Sequence, residues 1–229
     1  MVDTRHRAMV ANWRAVNLSL GNIAMKFYNS VGPNPRVVKM FMAEKGLDIP
    51  REEVDLMAGE NRQASFTAKN PSGQLPALEM DDGEVLAEIT AICEYIEEVN
   101  PAPPLIGATP RERATTRMWV RRIDLNIAEP MANGFRFSQG LPLFQSRVHC
   151  IPQAADDLKA VAQERLTWLD GLIAGRSWIA GDRFTLADIL LFCFMDFGSQ
   201  VGQPLNPDNR NVAAWFERAK ARPSAAASA

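Results

Sequence analysis

Histidine is nearly missing from this chain: His6 and His149 are the only two among 229 residues, and they are far apart. That scarcity argues against a zinc site or a histidine-based catalytic triad, and no metal is expected. Cysteine is almost as rare. Cys93, Cys150 and Cys193 are widely spaced, with no Cys-x-x-Cys among them, so there is no disulfide framework and a reducing, cytoplasmic setting is expected. No run of Lys and Arg occurs and the formal net charge is -2, which argues against a nucleic-acid surface. A membrane span is missing too. The longest apolar stretch, "LADILLFCFMDF" (186-197), is broken by Asp188 and Asp196 and is too short to cross a bilayer, so it reads as a buried core helix of a soluble protein.

What is present has the composition of an ordinary globular chain, 47% hydrophobic, long enough for one large or two small domains. Residues 1-24 carry Arg5, Arg7 and Arg14 against Asp3, few serines and no clear cleavage signal, and read as a loosely attached N-terminal extension. From 25 to 99 strand and helix signals alternate. "AMKFYN" (24-29) and "REEVDL" (51-56) read as strands. Val37 and Phe41, with Val38 and Met42, recur at helical spacing before Gly46, and "GENRQASFTAKN" (59-70) reads as a short polar helix. "SGQLPALEMDDGEVLAE" (72-88) is a hairpin turning at Asp81-Asp82-Gly83, and "ITAICEYIEEV" (89-99) an amphipathic helix. The order is βαβαββα.

A proline-rich linker, 100-110, follows, and Pro110 suits the first position of a new helix. Beyond it only helical patterns appear, over 111-138, 152-174, 185-198 and 211-222, so an all-α domain is expected over 111-223, with small residues fraying at 224-229. Thr185 and Asp188 form a capping-box pattern with Phe184 and Ile189 placed as its staple, which serves folding. Pro76 is the oddity. It removes a donor from the hairpin's first strand, so either that strand is an edge or Leu75 is held out of the sheet for something else.

Three segments in order, "PNPRVVKMFMAEKGL" (33-47), "NPSGQLPALEMDDGEVLAEITAICEYI" (70-96) and "AGDRFTLADI" (180-189), resemble the glutathione transferase superfamily, in particular a bacterial and fungal branch whose first helix begins Pro-Asn-Pro-Arg. The resemblance covers 25 to about 223. It implies a thioredoxin-like α/β domain joined to an all-α helical domain, with glutathione as co-substrate. It further implies a cis Pro76 that turns the Leu75 backbone toward the cysteinyl segment as an added strand would. Glu88 and Ile89 then lie where the γ-glutamyl end binds, and Asn61, Arg62 and Gln74 are candidates for the glycine carboxylate. The chain departs from the superfamily at Ile89, where a serine hydroxyl is frequent; only a backbone N-H remains there, supplemented by Thr90. It departs again at Gly32-Pro33-Asn34-Pro35, which holds no thiol where thioredoxin-like relatives carry Cys-Pro-x-Cys, and disulfide exchange is disfavoured.

Thiol activation would then fall to Ser30, Asn34 or Ser138, or to helix N-terminal N-H groups. Ser30 is equally well read as a loop hydrogen-bonding residue, and Tyr28 as packing. Phe135, Arg136 and Phe137 are the candidate electrophile pocket, although each aromatic taken singly reads first as core. Cys93 and Cys193 fall on apolar helix faces as small buried hydrophobes. The function expected is conjugation of the glutathione thiolate to small hydrophobic electrophiles by a homodimer, with neither nucleic acid nor membrane as partner. The alternatives are a non-catalytic glutathione-binding or protein-interaction module on the same fold, and a glutathione-dependent peroxidase.

Overall fold

The structure, a computed structural model, describes residues 25-229; the extension expected over 1-24 lies outside the described residues. β1 (Lys26–Asn29), α1 (Pro33–Glu44), β2 (Arg51–Glu53), α2 (Ala64–Thr67), β3 (Ala77–Glu79), β4 (Val85–Ala87) and α3 (Ile89–Val99) follow in the expected order. Their sheet runs β2-β1-β3-β4. β1 and β2 are parallel, so α1 must cross over between them, whereas β3 pairs antiparallel with both β1 and β4.

Alternation in β1 divides the first half into two layers. Phe27 points into a large core shared with Val37, Met40 and Phe41 of α1 and Ile92 and Ile96 of α3. Tyr28 points the other way, into a small cluster with Val54, Phe66, Leu75 and Ala77. Its hydroxyl donates to Glu79 and accepts from Lys69. The packing role read for Tyr28 is what the structure has.

The second half consists of α4 (Pro110–Ile123), α5 (Glu129–Arg136), α6 (Leu141–Phe144), α7 (Ala155–Leu172), α8 (Leu186–Gln200), α9 (Arg210–Lys220) and α10 (Pro223–Ala227). Residues 186-195 of α8 are buried without a break, and the helix is central. Its Ile189, Phe192 and Cys193 belong to the same continuous core as α1, so one hydrophobic interior spans both halves.

Four expectations change. The strand expected over 51-56 is paired only over Arg51–Glu53, on an exposed edge. The polar helix of 59-70 is two short turns, a 3-10 turn at Glu60–Arg62 and α2, separated by Gln63 in an extended conformation. The helix of 111-138 is interrupted by a π-turn, Asp124–Ala128, next to Pro130, which has no N-H to give the ladder. The tail does not fray: α10 lies in 223-227, with Ser224, Ala225 and Ser228 buried. Arg222 and Ser224 both donate to Glu44 of α1, Arg222 through two bonds of 2.6 and 2.7 Å. A bidentate charged pair and buried alanine surface hold the segment that composition alone would leave loose.

The linker is also pinned. Lys45 and Glu97 form a buried ion pair of 2.6 Å. Lys45 Nζ donates further to the carbonyls of Asn100 and Pro103, at 2.6 and 2.9 Å. Glu97 accepts from the backbone N-H groups of Leu105, Ile106 and Gly107. Both charges are thereby saturated with partners.

Candidate functional site

A cleft of about 490 Å³ opens between the two halves. Its floor comes from the loop before β3 and the start of α3: Gln74, Leu75, Pro76, Glu88, Ile89 and Thr90. Asn34, in the first turn of α1, closes one end. Asp124, Glu129, Asn133, Arg136 and Phe137 form the opposite wall with Phe144, Val148, His149 and Phe194.

The floor is built to leave backbone groups exposed to the cleft. The Leu75-Pro76 peptide is cis, and among the described residues neither the N-H nor the C=O of Leu75 takes a backbone partner. The preceding loop is held in shape by its own polar side chains. Asn61 Nδ2 donates to the Gly73 carbonyl at 2.7 Å, Asn70 Nδ2 to the Gln74 carbonyl at 2.9 Å, and Arg62 Nη1 to the Ser72 carbonyl at 3.3 Å. Gly73 has φ +59° and a Cβ there would stand 2.9 Å from the Asn61 carbonyl oxygen, so only glycine suits this close approach.

α3 begins unusually. Glu88, the residue before it, has φ 70° and ψ 120° and is the sole non-glycine residue with positive φ among the described residues. Such a conformation costs on the order of 1 to 3 kcal/mol and is typically retained where geometry matters to function. No side chain caps α3 and no acid lies in its first turn. α4 and α8, by contrast, are closed by capping boxes, Thr109 with Glu112 and Thr185 with Asp188. The first N-H groups of α3 therefore face the cleft as a positive helix end with no internal acceptor.

α1 offers less. Of its first three residues, Pro33 and Pro35 have no N-H, and the Arg36 N-H is bonded to the Gly32 carbonyl at 3.4 Å. Only Asn34 supplies a backbone N-H and a side-chain amide at that end.

The opposite wall depends on the π-turn. Asp124 and Glu129 are five residues apart, a spacing that a regular α-helix would rotate about 140° apart. The wider turn brings both to the cleft, with Asn133 and Phe137 continuing at spacing four. Burial pushes the Asp124 carboxyl above its ordinary range; Glu129 and Glu88 push it the same way, and Arg121 opposes them.

Nine of the residues singled out from sequence thus meet in one cleft: Asn34, Gln74, Leu75, Pro76, Glu88, Ile89, Thr90, Arg136 and Phe137. Five do not line it. The Ser30 hydroxyl is buried and donates to the Val54 carbonyl at 2.7 Å, and its only proton is committed. Ser138 Oγ contacts the Gly134 carbonyl at 2.5 Å and the side chain of Gln139. Asn61 and Arg62 brace the 70-74 loop from behind. Phe135 is half-buried and packs edge-on to Phe144 and Phe197, at 6.2 and 5.1 Å between centroids. Sequence reading missed Asp124, Glu129, Asn133, Val148, His149 and Phe194. Pro130 inside a long helical pattern was the one available signal for the first three, because a proline there forces a break in the ladder.

Comparison with known proteins agrees with this architecture. Family models described as glutathione S-transferase, N-terminal domain, and glutathione S-transferase, C-terminal domain, match residues 31–99 and 150–223. Glutathione S-transferase 2 of Saccharomyces cerevisiae is 32% identical over 84% of this chain and 84% of its own length. A maleylacetoacetate isomerase of Pseudomonas aeruginosa is 35% identical over 67% of this chain and 71% of its own. Among solved structures, a glutathione S-transferase domain-containing protein of Marinobacter aquaeolei superposes with a TM-score of 0.82 at 35% identity, covering 87% of this chain and 98% of that one. Cleft, sheet order and helical half have a common explanation: the chain belongs to the glutathione S-transferase family.

Proposed function

We propose that the chain binds glutathione along the floor of the cleft and joins it through its thiolate sulfur to a small electrophile held by the helical wall. The observation that carries this reading is the unpartnered backbone of Leu75, an edge on which the cysteinyl amide of glutathione can pair as an added strand. Glu88, fixed at positive φ, takes the ammonium group. The uncapped N-terminus of α3 takes the adjacent carboxylate through the N-H groups of Ile89 and Thr90, and the Thr90 hydroxyl stands in for the one that Ile89 lacks. Gln74 receives the glycine carboxylate.

Asn34 is then the thiol activator, since its two N-H donors favour the thiolate over the thiol. The thiolate forms the new carbon-sulfur bond and the electrophile releases its leaving group, or takes up a proton if it is an activated alkene. Holding both reactants in one cleft supplies the proximity term. Phe137, Phe144 and Phe194 provide apolar surface for the electrophile's carbon skeleton.

Calorimetric titration with glutathione, run beside a conjugation assay over a panel of electrophiles, tests the proposal. Binding and turnover above the uncatalysed rate are expected. Binding without turnover on any electrophile would favour the non-catalytic module. No heat with glutathione, and none with its conjugates, would overturn both.

A further inference from the structure

The helical wall is not uniformly apolar, and its charge is arranged in a way that an apolar electrophile does not require. Arg136, the last residue of α5, lines the cleft. Its Nη1 donates to Asn133 Oδ1 at 2.9 Å and lies 3.5 Å from Glu129 Oε1. Its guanidinium carbon is 5.9 Å from the centroid of the Phe144 ring. These contacts orient the group without saturating it: among the described residues, Nε and Nη2 of Arg136 have no protein partner. The pair with Glu129 is long, and the Glu129 side chain is 55% exposed, so solvent screens it and little of the arginine's charge is neutralised. Asn133 is itself held, its Nδ2 donating to Glu129 Oε1 at 3.1 Å.

A guanidinium fixed on one edge by an amide, with an aromatic ring beside it and its other edge open to a cavity, has the geometry that accepts a planar carboxylate through two parallel hydrogen bonds. Glu129 meets only the Nη1 edge, and the other acidic members of the cleft do not compete for the open one. Glu88 is reserved for the ammonium of glutathione under the reading above, and Asp124 lies twelve residues back along the helix, roughly 15 Å or more at the rise of about 1.5 Å per residue. We propose that the electrophile accepted by this cleft carries a carboxylate, and that Arg136 binds it. The inference rests on the proposed glutathione reading and names the class of the second substrate.

The test uses binding of products, so that it does not depend on turnover. S-(4-carboxy-2,6-dinitrophenyl)glutathione and the methyl ester of its aryl carboxyl differ only in that one charge. Both are titrated calorimetrically into the full chain, with glutathione itself as third ligand. The carboxylate conjugate is expected to bind at least about tenfold more tightly than the ester, the size of one charge-assisted contact. Arg136→Gln is expected to bring the two to the same affinity, and Arg136→Lys, which keeps the charge but not the fork, to restore part of the preference; thermal melts establish that both variants are folded. Equal affinities of the two conjugates for the unmodified chain, or a preference that survives Arg136→Gln, would overturn the inference while leaving glutathione binding intact. If glutathione gives no heat, the reading beneath it falls and the inference falls with it.

Discussion

Asn34 and Ser30 lie four residues apart, and their surroundings separate them. Ser30 has its hydroxyl proton on the Val54 carbonyl, whereas the Asn34 amide faces the cleft without a protein partner among the described residues. Asn34→Ala is expected to raise the pKa of the bound glutathione thiol by about one unit and to lower kcat about tenfold, the loss of one hydrogen bond to a charged group. Ultraviolet titration of the bound thiolate reads the first effect and steady-state kinetics the second. Ser30→Ala and Ser138→Ala are expected to move the thiol pKa by less than about 0.3 units, because neither hydroxyl reaches the cleft. An unchanged thiol pKa in Asn34→Ala would remove Asn34 from the chemistry. Sequence named Ser30 as a hydroxyl near the start of the first helix and Ser138 through the family resemblance; it held no information on which proton was already spent.

At the level of elements, α8 shows how a local pattern is recruited by tertiary structure. The Thr185-Asp188 box is legible in the chain, and the Thr185 N-H and hydroxyl both donate to Asp188 Oδ2, at 2.9 and 3.0 Å. Asp188 also accepts from the Ile179 N-H and the Trp215 indole, at 2.9 and 2.8 Å, and is fully buried. Burial outweighs these donors and pushes its carboxyl from 3.8 up to about 6. The folded protein then holds a proton that the unfolded chain has released between about pH 4 and pH 6. Stability from this group is therefore greatest below that window and falls as pH rises through it, by on the order of 3 kcal/mol. Urea unfolding of the protein and of Asp188→Asn across pH 4 to 7 is expected to show the stability difference shrinking toward pH 6 and constant above it. A difference that grows with pH would mean that the donors prevail over burial. The π-turn was not legible in the same way: Pro130 announces a break, but its consequence, Asp124 and Glu129 on one face, appears only once the turn type is known.

On the scale of the whole molecule, the two halves are joined by a core and by charge. Lys45 and Glu97 have side-chain exposures of 0% and 2%, and together they bind five backbone groups of residues 100-107. Lys45→Met is expected to cost about 3 to 5 kcal/mol, because it leaves Glu97 as a buried charge without its counter-ion; Lys45→Met with Glu97→Leu is expected to recover part of that loss. Denaturant midpoints of the single and double variants check this, and a double variant no better than the single one would indicate that the backbone contacts dominate. The C-terminal segment belongs to the same scale. Its alanines and serines predict fraying, yet Glu44, 180 residues before Ser224, holds them through hydrogen bonds.

The chain by itself determined the order βαβαββα, the α3 limits of Ile89–Val99 and the Thr185 cap, because each depends on periodicity or on residues within a few positions of one another. It also marked Leu75 and Pro76, since a proline in a strand is a local anomaly, whereas Glu88 was marked by the family resemblance. Tertiary structure alone decided which polar groups were left without partners. Ser30, Ser138, Asn61 and Arg62 donate to backbone carbonyls, while Leu75, Asn34 and Arg136 keep donors open to the cleft. Hydrogen bonds close between residues far apart in sequence, and which donors remain available is settled only when the two halves pack together.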